Sequence, residues 1–228
     1  MVNFKKLRQL IQTKGNGNIV KKEIEVSSFL RLHISIKGDT EIIQSDEEKV
    51  VIEADENLQD YFEVVNSGKT LYITSGNKLW IPLFTRLSIK IYCRQMNMLY
   101  NASHGDVFSG NQIICRDAFE LKIHAHGDTI LDIKAPAVKV NSACHGDIEL
   151  KGECHEFTIK NASHGDIDCK GMIADITTLS NASHGDIKLY SKEEISIKHA
   201  GHGDVHYYGE GKLKNIVHHG HGEVKHRK

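Results

Sequence analysis

Apolar and polar residues alternate along most of the chain with a period of two. This is the pattern of β-strands, in which neighbouring side chains point to opposite faces of a sheet. Ile148 and Leu150 flank Glu149, and Lys160 follows Ile159. We therefore expect one set of apolar side chains to point inwards and charged side chains such as Lys160 to face water. The residues predicted to point inwards are Val138, Val140, Ile148, Leu150, Phe157, Ile159, Ile167, Cys169, Ile187, Leu189, Ile195 and Ile197.

One short phrase interrupts the strands and recurs seven times: a small residue, His, Gly, an acidic residue and a mostly apolar residue. Successive copies are 18 to 22 residues apart. A fixed period of this size is the sequence signature of a stacked repeat array. The histidines and acidic residues of the phrase are His104, Asp106, His126, Asp128, His145, Asp147, His164, Asp166, His184, Asp186, His202, Asp204, His221 and Glu223.

Each copy of the phrase predicts a strand, a tight corner and a second strand. The predicted fold class is all-β, a right-handed β-helix or β-solenoid with about 19–20 residues per coil. The small residue is expected inside the bend, and Gly is expected to supply a positive φ. His and the acidic residue are then expected on the outer edge. Equivalent residues of adjacent coils would lie about 4.7 to 4.9 Å apart, so the imidazoles would form a row beside the carboxylates.

The regularity of the pattern divides the chain into three parts. Residues 1–14 mix apolar and basic residues and predict a leader or a short amphipathic helix that caps one end. Residues 15–100 predict a looser N-terminal β region that protects the solenoid against edge pairing, with residues 80–84 as a connector or end cap. Gly38 and Asp39 form a degenerate corner within it. Residues 101–228 predict the regular solenoid.

Composition disfavours several classes of function. With 29 basic and 30 acidic residues the formal net charge is −1, so nucleic acid is not an expected partner. No segment approaches the length of a transmembrane helix, and the first residues lack the apolar core of a signal peptide. The sequence, if complete, therefore predicts a cytoplasmic location. The five cysteines lack metal-ligand spacing and predict reduced thiols in the core or at the corners.

The order of several motifs resembles the bacterial family described as putative autotransporter adhesin, head GIN domain. The resemblance extends over about residues 15–228 and includes the corner repeats. The segments that carry the rest of it are 15–19, 26–29, 37–39, 51–58 and 68–73.

This resemblance implies a right-handed β-helix of two sheets that is similar to pectin-lyase-like folds without their catalytic residues. It also implies a role in cell adhesion and a location in the cell envelope or outside the cell. The chain departs from the family pattern in two respects. His replaces the first small residue of the usual corner, and the secretion signal common in the family is missing from the sequence.

Three interpretations of the His and acidic rows stay open. In the structural interpretation, Asp accepts backbone N–H bonds at the corner and His donates to the carboxylate. In the second, the fourteen residues above hold a divalent metal such as zinc, with imidazole and carboxylate ligands. In the third, the protein is a pectin-lyase-like or acyltransferase-like enzyme. Such an enzyme needs one set of catalytic residues in distinct environments, and the repeated copies distinguish no such set.

We therefore expect a non-enzymatic interaction or cell-adhesion scaffold, with divalent-metal binding as the alternative function. No catalytic residue and no cofactor other than such a metal is predicted. The expected partner is a cell-surface glycan or a protein. Self-association is a further expectation, because the ends and flat faces of a solenoid stack readily.

Overall fold

The computed structural model describes residues 14–75 and 83–227. Within these ranges it contains 21 β-strands and one 3₁₀ helix, Glu56–Tyr61. The leader or capping helix predicted for residues 1–14 lies outside the described residues except for Lys14, and so do residues 80–82 of the connector at 80–84. The strands are β1 Ile19–Glu25, β2 Arg31–Ser35, β3 Thr40–Gln44, β4 Lys49–Asp55, β5 Phe62–Ser67, β6 Thr70–Ser75, β7 Leu87–Cys93, β8 Met98–Asn101, β9 Val107–Ser109, β10 Ile113–Ile114, β11 Phe119–Ile123, β12 Thr129–Lys134, β13 Ala137–Ser142, β14 Ile148–Asn161, β15 Ile167–Cys169, β16 Met172–Asn181, β17 Ile187–Tyr190, β18 Glu194–His199, β19 Val205–Tyr208, β20 Lys212–His218 and β21 Val224–His226.

The strands stack in parallel, coil upon coil, in two ladders. One ladder runs β6–β2–β8–β11–β13–β14–β16–β18–β20, and the other runs β7–β3–β9–β12–β14–β15–β17–β19–β21. The long strand β14 belongs to both. In the second ladder Ile148 pairs with Ile167, which pairs with Ile187, which pairs with Val205. This arrangement confirms the predicted all-β solenoid.

The core follows the alternation of the sequence. All twelve residues predicted to point inwards are buried, and Lys139, Lys160 and Lys198 between them are exposed. Phe119 and Phe157 are the largest side chains of the regular coils in this core, each no more than 1% exposed. The inward faces of successive coils therefore pack against each other and form one mainly apolar core inside the solenoid.

The N-terminal region contributes a coil of its own. β2 and β3 pair in parallel with β8 and β9, although more than sixty residues separate them in sequence. Beyond them, β6 and β7 extend the two ladders, and β5 and β4 add antiparallel strands to their ends. The antiparallel pair β1 and β4 completes this end. The division of the chain at residue 100 stays a prediction.

The reason for glycine at the corners differs from the predicted one. Positive φ angles among the described residues occur only at Gly17, Gly68, Gly152 and Gly209, none of which lies in the His-Gly-Asp phrase. The corner glycines instead allow the coils to approach closely. A Cβ built on Gly165 would lie 2.3 Å from the carbonyl oxygen of Gly146, and the other corners are as close. The corners that show this contact are Gly105, Gly127, Gly146, Gly165, Gly185, Gly203 and Gly222.

We expect Gly165→Ala to lower the free energy of unfolding by about 2 kcal/mol or more, because the methyl group must push two coils apart. Urea unfolding measures this change. Gly171→Ala is the matched control, since a Cβ there would lie 3.0 Å from the Cβ of Lys151 and no closer than 3.6 Å to backbone of the neighbouring coil. Equal stability of the two variants would contradict the close-approach explanation.

Candidate functional site at the stacked corners

The seven corner histidines form one continuous row on the outer edge of the solenoid. All seven side chains are exposed. Centroids of successive rings lie 4.5–5.1 Å apart, and the first five pairs are within 3–7° of parallel. The last pair, His202 and His221, is inclined by 23°. The row therefore presents stacked imidazoles at nearly the spacing of a β-ladder.

Each corner Asp carboxylate accepts a hydrogen bond from the backbone of the next coil. The N–H of Asp166 donates to Oδ1 of Asp147 at 2.8 Å, and the N–H of Asp186 donates to Oδ1 of Asp166 at 2.8 Å. The series starts at Asp39, whose Oδ1 accepts the N–H of Asp106 at 3.0 Å, so the degenerate corner takes part in it. The N–H of Glu223 ends it by donating to Asp204. We call these residues the carboxylate ladder: Asp39, Asp106, Asp128, Asp147, Asp166, Asp186, Asp204 and Glu223.

The structural interpretation of the corners is correct for Asp and wrong for His. Among the described residues no corner ring donates a hydrogen bond to a corner carboxylate, and none forms an ion pair with one. The physical reason is that Oδ1 of each Asp is directed along the solenoid axis to the next backbone N–H. The histidine rings stack on one another, so the two rows run side by side without joining.

The residue before each His packs inside the bend, as predicted. Ser103, Ser163 and Ser183 are each no more than 2% exposed. Their hydroxyls donate to the carbonyl of the corner glycine two residues later, at 3.3–3.4 Å. Cys144 makes the same contact through Sγ. A larger side chain would not fit between the coils at this position.

A buried polar row lies three residues before the corner histidines. The Asn161 amide donates to Oδ1 of Asn181 at 2.9 Å, and Nδ2 of Asn181 then faces Nδ1 of His199 at 3.0 Å. Because Asn181 uses its oxygen for Asn161, it donates to His199, which places the imidazole proton on Nε2. That atom has no hydrogen-bond partner among the described residues. Burial first, and then His218, lowers the pKa of His199, so the ring is held neutral.

The exposed histidine at the start of the row is also biased towards its neutral form. Burial lowers the pKa of His104, and the neighbouring His126 and Lys37 lower it further. Lys37 occupies the histidine position of the degenerate corner. A charge on His126 opposes protonation of His104, because the two ring centroids are only 4.5 Å apart and like charges repel.

The geometry of the row limits how it could hold a metal. Two nitrogens bound to one Zn²⁺ at about 2.0–2.1 Å cannot be more than about 4.2 Å apart. Ring centroids here are 4.5–5.1 Å apart and the rings are nearly parallel, so their in-plane lone pairs do not converge. The described residues contain no preformed group of three or more His, Cys, Asp or Glu side chains able to hold a metal ion.

A His–Asp contact that the sequence analysis did not identify lies outside the row. Nδ1 of His155 is 2.9 Å from Oδ2 of Asp175, and Lys192 is 3.4 Å from the same carboxylate. The contact raises the pKa of His155 and lowers that of Asp175. Asp175 and Lys192 border a surface cavity of about 400 Å³ that Cys115 also lines. The 20-residue separation of His155 and Asp175, one coil period, was the signal that could have revealed this pair.

The cysteines offer no activated nucleophile. All five are free and buried, as predicted. Burial raises the pKa of Cys93, Cys115 and Cys154 to about 12. Thiolate, which is the reactive form, is therefore scarce at neutral pH.

Comparison with known proteins identifies relatives of this chain. Residues 28–211 match the family described as putative auto-transporter adhesin, head GIN domain. No curated protein matches the chain. No helix among the described residues has the length and apolar character needed to cross a membrane.

Several solved structures have the same fold. A putative adhesin from Bacteroides fragilis is 20% identical, with a TM-score of 0.88 over 94% of this chain and 100% of the other. A putative lipid binding protein from Parabacteroides distasonis is 22% identical, with a TM-score of 0.71 over 94% and 99% of the two chains. A putative adhesin from Parabacteroides merdae is 17% identical, with a TM-score of 0.67 over 96% and 100%. At these identities the likeness concerns the fold alone.

We expect Asp166→Ala to lower the free energy of unfolding by about 1.5–3 kcal/mol, because it removes a charged acceptor from a backbone N–H. Asp166→Asn, which keeps an oxygen acceptor, should lose less. Urea or thermal unfolding measures both changes.

The chain contains its own control for this prediction. The Glu223 carboxylate accepts no backbone hydrogen bond within the part of the chain that the structure describes; it contacts Lys225 at the surface. Glu223→Ala should therefore change stability by less than about 1 kcal/mol. If Asp166→Ala is no more damaging than Glu223→Ala, the carboxylate ladder does not stabilise the solenoid.

Proposed function

The chain belongs to the family described as putative auto-transporter adhesin, head GIN domain, and on this premise we propose that it is a non-enzymatic adhesion scaffold. We place its action at the cell surface or outside the cell. In this proposal the solenoid is a rigid support that presents repeated side chains to a glycan or protein on another surface.

The observation that carries the proposal is the equivalence of the corners. The rings repeat at 4.5–5.1 Å, and each corner Asp carboxylate accepts the same backbone hydrogen bond from the next coil, at 2.7–3.0 Å. Catalysis needs a nucleophile, a base and an orienting group that differ in environment. Repeated contacts of equal strength instead suit multivalent attachment, in which many weak contacts add.

The His155–Asp175 pair does not change this proposal. A dyad of this kind activates a nucleophile within hydrogen-bond reach of the ring. The nearby hydroxyl of Ser191 donates to the backbone carbonyls of Asp175 and Glu194 instead. The described residues around the pair thus favour a surface ion pair with Lys192 over a catalytic role.

The test of adhesion compares the protein on a surface with the protein in solution. Beads coated with the full chain are passed over arrays of glycans and matrix proteins in the presence of a chelator. We expect bead retention on a subset of ligands, with an apparent affinity about 10²–10⁴ times that of the soluble chain. Mass spectrometry of the retained ligands should show no chemical change. Cleavage or modification of a ligand, or retention on no ligand, would contradict the proposal.

A second candidate function is reversible binding of a divalent metal along the histidine row. The observation in its favour is that seven exposed imidazoles lie side by side and none hydrogen-bonds another described residue through its ring. Neighbouring rings would have to turn towards each other to share an ion. Such a site would form on binding.

The metal candidate predicts a pH-dependent thermal shift. With Zn²⁺ at 100 times its Kd, chelator-treated protein should gain about 2.7 kcal/mol at pH 7.5. The gain should shrink at pH 5.5, because protons compete for imidazole. His164→Ala combined with His184→Ala should reduce it, and His124→Ala combined with His219→Ala, two exposed histidines outside the row, should not. If Zn²⁺ stabilises the two double variants equally, the histidine row is not the metal site.

A further inference from the structure

A groove on the face of the first ladder lies apart from the corners. It has a volume of about 630 Å³ and crosses strands β6, β2 and β8. Its lining consists of Arg31, Leu32, His33, Thr70, Tyr72, Met98 and Tyr100. The volume is in the range of ligand sites in proteins.

One wall of the groove is a row of aromatic rings. The ring centroid of His33 lies 5.3 Å from that of Tyr72 and 4.4 Å from that of Tyr100, and Tyr100 lies 5.5 Å from His124. The row arises because Tyr72, His33 and Tyr100 pair directly in adjacent coils. The side chains of Tyr72, His33 and Tyr100 hydrogen-bond no other described residue. Their ring surfaces and polar atoms are thus available together.

Arg31 stands two residues before His33, on the same face, and lines the groove beside Thr70 and Met98, its partners in the two adjoining strands. Its Nε donates to Oγ1 of Thr70 at 3.0 Å, which holds the guanidinium in place. No carboxylate among the described residues lies in ion-pair contact with it. Burial lowers the pKa of His33, so Arg31 is the one charged lining residue at neutral pH. A guanidinium with free nitrogens is suited to a planar anion such as a carboxylate.

The backbone in this groove is unavailable to a ligand. β2 is paired with β6 on one side and β8 on the other, β6 is also paired with β5, and β8 is also paired with β11. An extended peptide that binds by strand addition needs a free strand edge. A ligand here must be recognised by side chains alone. Rings, hydroxyls and one guanidinium match a sugar chain, which offers C–H faces, hydroxyls and, when acidic, carboxylates.

We propose that this groove binds an extended glycan chain that carries carboxylate groups. In it, Arg31 holds one carboxylate, and Tyr72, His33 and Tyr100 contact the sugar rings and hydroxyls. This inference rests on the proposed adhesive function, because it names the class of ligand and the surface that binds it.

The groove continues along the solenoid axis, which suits a chain rather than a single sugar. A neighbouring groove of about 520 Å³ shares Arg31 and Met98 and reaches Lys139 on β13. Glu120 in this second groove is paired with Lys122 at 3.2 Å, whereas Lys139 has no ion-pair partner among the described residues. Lys139 therefore offers a second cation to a later acidic sugar, beside the carboxylate of Glu156.

The test is titration calorimetry of the full chain with a hexamer of uronic acids and with the corresponding neutral hexasaccharide. We expect the acidic oligomer to bind and the neutral one to bind more weakly. Arg31→Gln should weaken binding of the acidic oligomer by about 10- to 100-fold, the loss expected for charge-assisted hydrogen bonds. Arg94→Gln is the matched control, since Arg94 is also exposed and also donates through Nε, to the carbonyl of Asp46. Tyr100→Leu should weaken binding of both oligomers.

Each remaining outcome decides the inference. The proposal is wrong if the uronate oligomer does not bind, or if Arg31→Gln and Arg94→Gln lose equal affinity for it. Equal affinity for poly-glutamate would also overturn the proposal, in favour of an acidic peptide as the ligand. If coated beads still adhere to their ligands when the uronate oligomer does not bind, the glycan-binding proposal is wrong and the adhesive function stands. If the oligomer binds in the groove but beads adhere to nothing, adhesion fails and the groove stands.

Discussion

The structure depends on the contact between successive corners. Glycine allows the backbones of two coils to approach until the carbonyl of one, such as that of Gly146, occupies the space of a Cβ on the next. At that separation the carboxylate of one Asp reaches the backbone N–H of the following Asp, at 2.7–3.0 Å through the series. The corner therefore needs both Gly and Asp. A bulkier residue than Gly would separate the coils, and a residue without a side-chain oxygen in place of Asp would leave a corner N–H without its acceptor.

This contact divides the roles within the repeated phrase. The small residue and Gly pack, Asp binds the next coil, and the His side chain forms no hydrogen bond with another described residue. Ring stacking at 4.5–5.1 Å then follows from the coil spacing. A row of seven unengaged imidazoles is thus a consequence of the stacking as well as a candidate binding edge. The aromatic row of Tyr72, His33 and Tyr100 has the same origin, since the coil spacing also places these rings one above another.

Much of the fold was predictable because its signals are periodic. Alternation placed Ile148 and Leu150 in the core, and the recurring phrase placed His164 at an exposed corner. The reason for glycine was mispredicted, because a tripeptide cannot show whether Gly is needed for φ or for proximity to another coil. The groove at Arg31 was not predictable, because β2 joins β8 across more than sixty residues. The ligand was not predictable from the fold either, because one fold can carry many unrelated functions.

Amide hydrogen exchange tests the central claim most directly, because each corner provides two neighbouring amides that differ in hydrogen bonding. The N–H of Asp166 donates to Asp147, whereas the N–H of Gly165 has no partner among the described residues. The carboxylate ladder predicts slow exchange at Asp128, Asp147, Asp166, Asp186 and Asp204, comparable with that of strand amides such as Ile167, and fast exchange at the corner glycines. Exchange at the Asp amides as fast as at the glycines would contradict the account.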